Sequence, residues 1–208
     1  METKERILWT AIRLFARHGY EAVSVSQLAD RLGMAKSALY KHYVNKQDIF
    51  DSIVRRMEQL DRENAAACEL PIKLRTEDPA AYGRAGLENL AAFSQAQFRY
   101  WTENEFAACF RRLLTLEQYH SPAMGQLYQQ YLGAGPLRYV EDLLAGMGWS
   151  QPAARQLALE FYGPMFLSYS LYDGAAADAD RTAVTERLCR YMRDFIGRWK
   201  REEKGNEI

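Results

Sequence analysis

The side chains best suited to chemistry cluster between Ser24 and Lys46, in SVSQLADRLGMAKSALYKHYVNK, and what they suit is polyanion binding rather than bond making. From Arg31 to Gln47 the chain has four Lys or Arg residues and no Asp or Glu, so this run can meet phosphates without like-charge repulsion. Ser37 and Tyr40 add a hydroxyl and a phenol, which can donate to base edges or to backbone oxygens in a duplex groove. Covalent chemistry finds no comparable cluster: there is no Ser–His–Asp order, no Gly-rich phosphate loop and no H-E-x-x-H, and the histidines are His18, His42 and His120. No catalytic residue, no cofactor and no enzymatic activity are expected. Cys68, Cys109 and Cys189 stand isolated, without a C-x-x-C or a His at ligand spacing, so neither a metal site nor a disulfide framework is expected.

These side chains need short, well-ended helices to hold them. Ser24-Val25-Ser26-Gln27 has the form of a capping box, which starts a helix at Val25, and Gly33 stops it. Leu28 and Leu32 share its inner face, while small Ala29 lets another helix cross closely. Gly33-Met34-Ala35 leaves room only for the tight turn of a helix-turn-helix, spanning about residues 25–43. A second helix is read over Lys36 to Tyr43 and sorted at about 100° per residue. Leu39 and Tyr43 point inward; Ser37 and Lys41 lie opposite, Ala38 and Tyr40 on the shoulders, and Lys36 and His42 near the boundary. Asn45 then caps a third helix with Asp48 in its first turn. Any helical protein can carry capped amphipathic pairs, and a basic run is usually a solvated face, so the pattern alone leaves that plainer reading open.

Taken jointly, the motifs are more specific. Phe15-Ala16-Arg17-His18-Gly19-Tyr20, Val25-Ser26-Gln27-Leu28-Ala29, Gly33 through Tyr43, and Asn45-Lys46 make residues 3–55 resemble the DNA-binding domain of the TetR family of bacterial transcriptional regulators. Two positions depart from the family pattern: Ala35, where a capping Ser or Thr is common, and Tyr43, where Phe is usual. The resemblance implies an all-α fold, with a helix-turn-helix DNA-binding domain over residues 1–47 and a helical effector-binding and dimerisation domain over 48–208. It implies a regulator, expected to be a repressor released from a palindromic double-stranded DNA operator by a small organic effector. The DNA-contacting set is expected to be Ser24, Ser26, Gln27, Lys36, Ser37, Ala38, Tyr40, Lys41, His42 and Lys46, with Lys46, Tyr40 and His42 on phosphate and Gln27, Ser37, Ala38 and Lys41 nearer the bases. The competing expectation is an all-helical interaction module whose helix-turn-helix does not read DNA.

The rest of the chain reads as helices punctuated by proline and glycine. The third helix continues to Cys68, ended by Leu70-Pro71, and further helices are expected at about 80–101, 105–119, 123–132, 137–145, 152–172 and 181–203. The middle third is rich in large aromatic side chains, most of which are simply core. A regulator of the implied family would keep an effector cavity there, suited to a largely apolar molecule, and Phe98, Trp101, Phe110 and Phe166 are the expected contacts. Glu103, Glu105, Glu117 and Arg111 could supply polarity to that cavity, with solvated or paired surface positions as the favoured expectation. Phe161–Tyr172 is apolar nearly all round, and Val184–Trp199 carries a broad apolar stripe, so the two helices are expected to pair with their copies in a homodimeric four-helix bundle. Pro164 should kink the first of them.

Composition supports this reading. A hydrophobic content of 48% excludes general disorder. The formal charge is zero, yet residues 1–50 hold eight Lys/Arg against five Asp/Glu and the remainder nineteen against twenty-two, so basic character sits where DNA would. The uncharged run from Phe161 to Tyr172 has twelve residues, well short of the roughly twenty of a spanning helix. The N-terminus lacks the apolar stretch of a signal peptide, so a cytoplasmic location without membrane attachment is expected.

Overall fold

A computed structural model describes residues 2–67 and 79–205, and within them the chain is helical with no strand. The helices are α1 (Thr3–His18), α2 (Val25–Leu32), α3 (Lys36–Leu39), α4 (Lys46–Ala67), α5 (Pro79–Glu103), α6 (Glu105–Glu117), α7 (Pro122–Tyr131), α8 (Ala134–Gly146), α9 (Gln151–Gly174) and α10 (Asp178–Gly205). The expected stop at Leu70-Pro71, and Cys68 with it, lie outside the described residues. Among the described residues no helix is long and apolar enough to cross a membrane.

The described chain forms two compact units. The first comprises residues 2–67 and 103–131, in which α1 packs on α2, α4 and α6, and α6 on α7. Its core is built from helix faces the periodicity picks out: Ile7, Ala11, Ile12 and Phe15 of α1, Leu28 of α2, Leu39 of α3, Ile49, Ile53 and Met57 of α4, and Phe106, Phe110, Leu113 and Leu114 of α6 are buried. Edge-on rings link three of its parts, with Tyr20 against Phe15 and Phe50, and Trp9 against Phe106.

Arg111 and Glu117 are each 2% exposed, which corrects their reading as surface residues. The Glu117 carboxylate accepts the Tyr20 backbone N–H at 2.8 Å and lies 3.1 Å from His120 Nδ1, so it fastens the α1–α2 connection to α6. Gly19, just before, has φ 86°, and a Cβ there would stand 2.8 Å from Glu117 Oε1; the turn needs glycine for both reasons. An exposed ion pair, Arg13 to Glu105 at 2.7 Å, ties the same helices and holds the Glu105 carboxyl below its usual range.

The second unit comprises residues 79–102 and 132–205, with α9 packed on α8 and α10. The α10 stripe is inside: Leu188, Met192, Phe195, Ile196 and Trp199 are at most 4% exposed, and Phe195 contacts Phe161 and Trp199. Within the chain α9 covers much of the Val184–Trp199 stripe, while Val184 and Tyr191 stay half-buried. Among the described residues of this unit, α9 leaves Leu159, Phe166, Leu167 and Leu171 between 43% and 58% exposed, and Tyr139 of α8 is also exposed. Helix α9 runs unbroken through Pro164. Proline has no N–H to give the Glu160 carbonyl one turn back, and the Tyr191 hydroxyl of α10 donates to that carbonyl at 2.8 Å. The Tyr162 hydroxyl donates to the Leu132 carbonyl at 2.6 Å in the same way. Cys109 and Cys189 are buried and unpaired, as small hydrophobes would be.

Candidate nucleic-acid interface

The expected capping box is present. Gln27 N–H donates to Ser24 Oγ at 3.2 Å and Ser24 N–H to Gln27 Oε1 at 2.7 Å, fixing the start of α2. This commits the Gln27 oxygen and leaves its amide N–H groups as what it can offer a base. At the other end Gly33 adopts the left-handed conformation, φ 66° and ψ 34°, and the Met34 N–H closes the turn on Ala29 at 3.0 Å. Ser24, Ser26 and Gln27 are exposed.

The second helix is shorter than the sequence suggests. Regular α-helix spans Lys36–Leu39; the Tyr40 N–H still reaches Lys36 at 3.2 Å, and then Lys41 and His42 tighten into turns whose N–H groups reach back three residues, to Ala38 at 3.3 Å and to Leu39 at 2.9 Å. The physical reasons lie at both ends. Ala35 supplies no side-chain cap, and the chain must leave the helix axis quickly enough for Val44 and Asn45 to begin α4. The face assignment survives this tightening: Leu39 and Tyr43 are buried, whereas Lys36, Ser37, Tyr40, Lys41 and His42 are exposed and Ala38 is half-buried. Burial pushes the Tyr43 phenol up to about 12, and its hydroxyl donates to the Lys4 carbonyl at 3.3 Å. Lys36 Nζ sits 5.9 Å from the Tyr40 ring centroid.

Helix α4 opens with a reciprocal cap: Asp48 N–H donates to Asn45 Oδ1 at 2.8 Å and Val44 N–H to Asp48 Oδ2 at 3.1 Å. Lys46 is fixed rather than free. Its ammonium donates to the Tyr20 carbonyl at 2.9 Å, lies 4.1 Å from the Tyr20 ring centroid and stands 3.7 Å from the Glu21 carboxylate. The Tyr20 phenol, pushed up to about 12 mainly by burial, donates to Gln47 Oε1 at 3.0 Å. Sequence reasoning missed Tyr20 as the support of this corner, although its place beside the helix-ending glycine was the available signal.

The expected effector contacts divide by unit and by exposure. In the second unit Phe98 is 1% exposed and stacks on Tyr169 with centroids 5.1 Å apart, Trp101 is buried against Tyr100, and Phe166 faces outward. Phe110 is buried in the first unit, edge-on to Tyr131.

Residues 7–53 match the family described as bacterial regulatory proteins, tetR family. Among curated relatives, YerO of Bacillus subtilis, named an HTH-type transcriptional regulator, is 44% identical over 46 residues, covering 22% of this chain and 16% of its own length. AcnR of Corynebacterium glutamicum, named an HTH-type transcriptional repressor, is 32% identical over 84 residues, covering 38% of this chain and 44% of its own length. The chain thus spans less than half the length of these relatives. Solved structures align much further: the fatty acid degradation regulator FadR of Bacillus halodurans has a TM-score of 0.60 at 18% identity, covering 92% of this chain and 95% of that one. A protein from Saccharomonospora viridis, solved in complex with choline, has a TM-score of 0.62 at 17% identity, covering 93% and 95%. These structural likenesses concern the fold.

Proposed function

We propose that this chain, whose residues 7–53 match the tetR family of bacterial regulatory proteins, is a DNA-binding transcriptional regulator of that family whose helix-turn-helix enters the major groove of a palindromic operator. The observation that carries this is the acid-free run from Arg31 to Gln47, set on a helix pair whose first member is capped by Ser24, with Lys36, Ser37, Tyr40, Lys41 and His42 exposed together. Residues 1–47 are the DNA-binding domain and 48–208 the effector-binding and dimerisation domain. Lys41, Ser37 and Ala38, helped by the Gln27 amide, read bases; Lys36, Tyr40, His42, Ser24, Ser26 and Lys46 position the backbone. With one proton on the Tyr20 carbonyl, Lys46 keeps two for phosphate.

The regulator works as a homodimer, its faces supplied by the outward α9 residues Leu159, Phe166, Leu167 and Leu171. Phe166 is therefore assigned to the dimer rather than to the effector. A small, largely apolar organic effector contacts Phe98 and Trp101, and favours one of two spacings of the DNA-binding domains, with α4 as the lever between them. The choline-bound neighbour supports effector binding in this fold as a class of behaviour. The test is selection of bound sites from random duplex DNA with the full chain: a recovered inverted repeat is expected, and recovery of no enriched sequence would favour an interaction module that does not read DNA.

A further inference from the structure

We propose that a groove between α5 and α10 binds an organic phosphate, held as a dianion by Arg99, Arg190 and Arg193. The groove has a volume of about 420 Å³ and is lined by Gln95 and Arg99 of α5 and by Thr185, Glu186, Cys189, Arg190 and Arg193 of α10. Three guanidinium groups face one carboxylate, so the lining carries two net positive charges. Arg13, Arg55 and Arg181 have carboxylate partners, but among the described residues none pairs with Arg99, Arg190 or Arg193. Arg190 and Arg193 are also one turn apart on α10, where like charges repel. A cluster that Glu186 balances only in part can take up an anion, and planar guanidinium forks match phosphate oxygens two at a time.

The floor is inert. Thr185 and Cys189 are buried, and the Thr185 hydroxyl is already spent on the Arg181 carbonyl at 3.0 Å. The Gln95 amide adds a neutral donor, and Glu186 offers an acceptor for a hydroxyl on the organic part. The volume lies within the range of about 300–1,000 Å³ typical of small-molecule sites, which suits a phosphate ester better than a bare ion. The groove also stands apart from the proposed dimer face. Tyr191, with its hydroxyl on the Glu160 carbonyl, marks the flank of α10 that adjoins α9, and Glu186, Arg190 and Arg193 form the flank toward α5. The assignment does not rest on DNA binding.

Calorimetric titration of the full chain with phenyl phosphate, against benzoate at matched ionic strength, tests it. Phenyl phosphate is a dianion at pH 8, its second pKa being about 6. The expected result is one site per chain, binding at least about tenfold weaker for benzoate and for R190Q/R193Q, and affinity unchanged in R187Q on the other flank; loss of a charged hydrogen bond is worth that much. Should the double variant lose helicity, R99Q on the opposite helix carries the same expectation. Equal binding of benzoate, unchanged affinity in R190Q/R193Q or R99Q, or equal loss in R187Q would overturn the proposal.

Discussion

At the scale of single residues, the proposed interface holds one supported cation among exposed ones. The Lys46 ammonium is held by the Tyr20 carbonyl and ring, while Lys41 is exposed with no such support among the described residues. A fixed charge positions and a free one adapts to a base edge. Lys46→Ala should weaken binding to all DNA sequences alike and flatten the salt dependence by roughly one unit per half-site. Lys41→Ala should relax base preference at one operator position, costing about 1–3 kcal/mol per half-site. Comparing the motifs selected by the two variants decides the assignment, and a motif altered by Lys46→Ala but untouched by Lys41→Ala reverses it. Most groups of this surface could be read from types and spacing, because exposure at a helix face follows the helical period. Glu117 could not, since its partner is the Tyr20 N–H, 97 residues away, and nothing local marks a carboxylate for burial.

Among the elements, α3 is the one held most weakly by its own sequence. Its N-cap Ala35 has the extended backbone of a cap, φ −68° and ψ 144°, without a side chain that can accept a hydrogen bond. Ala35→Ser should therefore stabilise the chain by about 0.5–2 kcal/mol, seen as a higher melting temperature; an unchanged or lower value would mean that the backbone there does not act as a cap. Helices α1, α2 and α4 to α10 were legible from their apolar periods, from the caps Ser24 and Asn45, and from the prolines and glycines that punctuate the later chain. The length of α3 was not, because periodicity does not distinguish the last α-helical turn from the tighter turns that follow. The partner of the α10 stripe was equally hidden: an apolar face declares burial but not whether its cover comes from the same chain.

For the whole molecule, the proposed homodimer rests on the exposed leucines and Phe166 of α9. Leu167→Glu should yield a helical monomer by analytical ultracentrifugation, whereas Phe195→Asp, placed where the side chain is 2% exposed, should unfold the chain. A dimer that survives Leu167→Glu would remove α9 from the interface. Alkali supplies a separate test of packing. The Tyr20, Tyr43 and Tyr131 phenols are each pushed up to about 12, mainly by burial, whereas in the unfolded chain they ionise near 10. The folded state therefore holds these protons more tightly; the stabilisation is complete below pH about 10 and disappears between about 10 and 12. Melting temperature should fall across that window and fall less in Tyr43→Phe. The central claim, that the basic helix-turn-helix binds duplex DNA and reads it, is tested most directly by measuring affinity for the selected site and for a scrambled duplex as salt is raised. The account predicts a log–log slope of several negative units for both, about −0.9 for each phosphate contacted, with the selected site tighter by at least about a thousandfold. Equal affinities for the two duplexes, or a slope near zero, would contradict it.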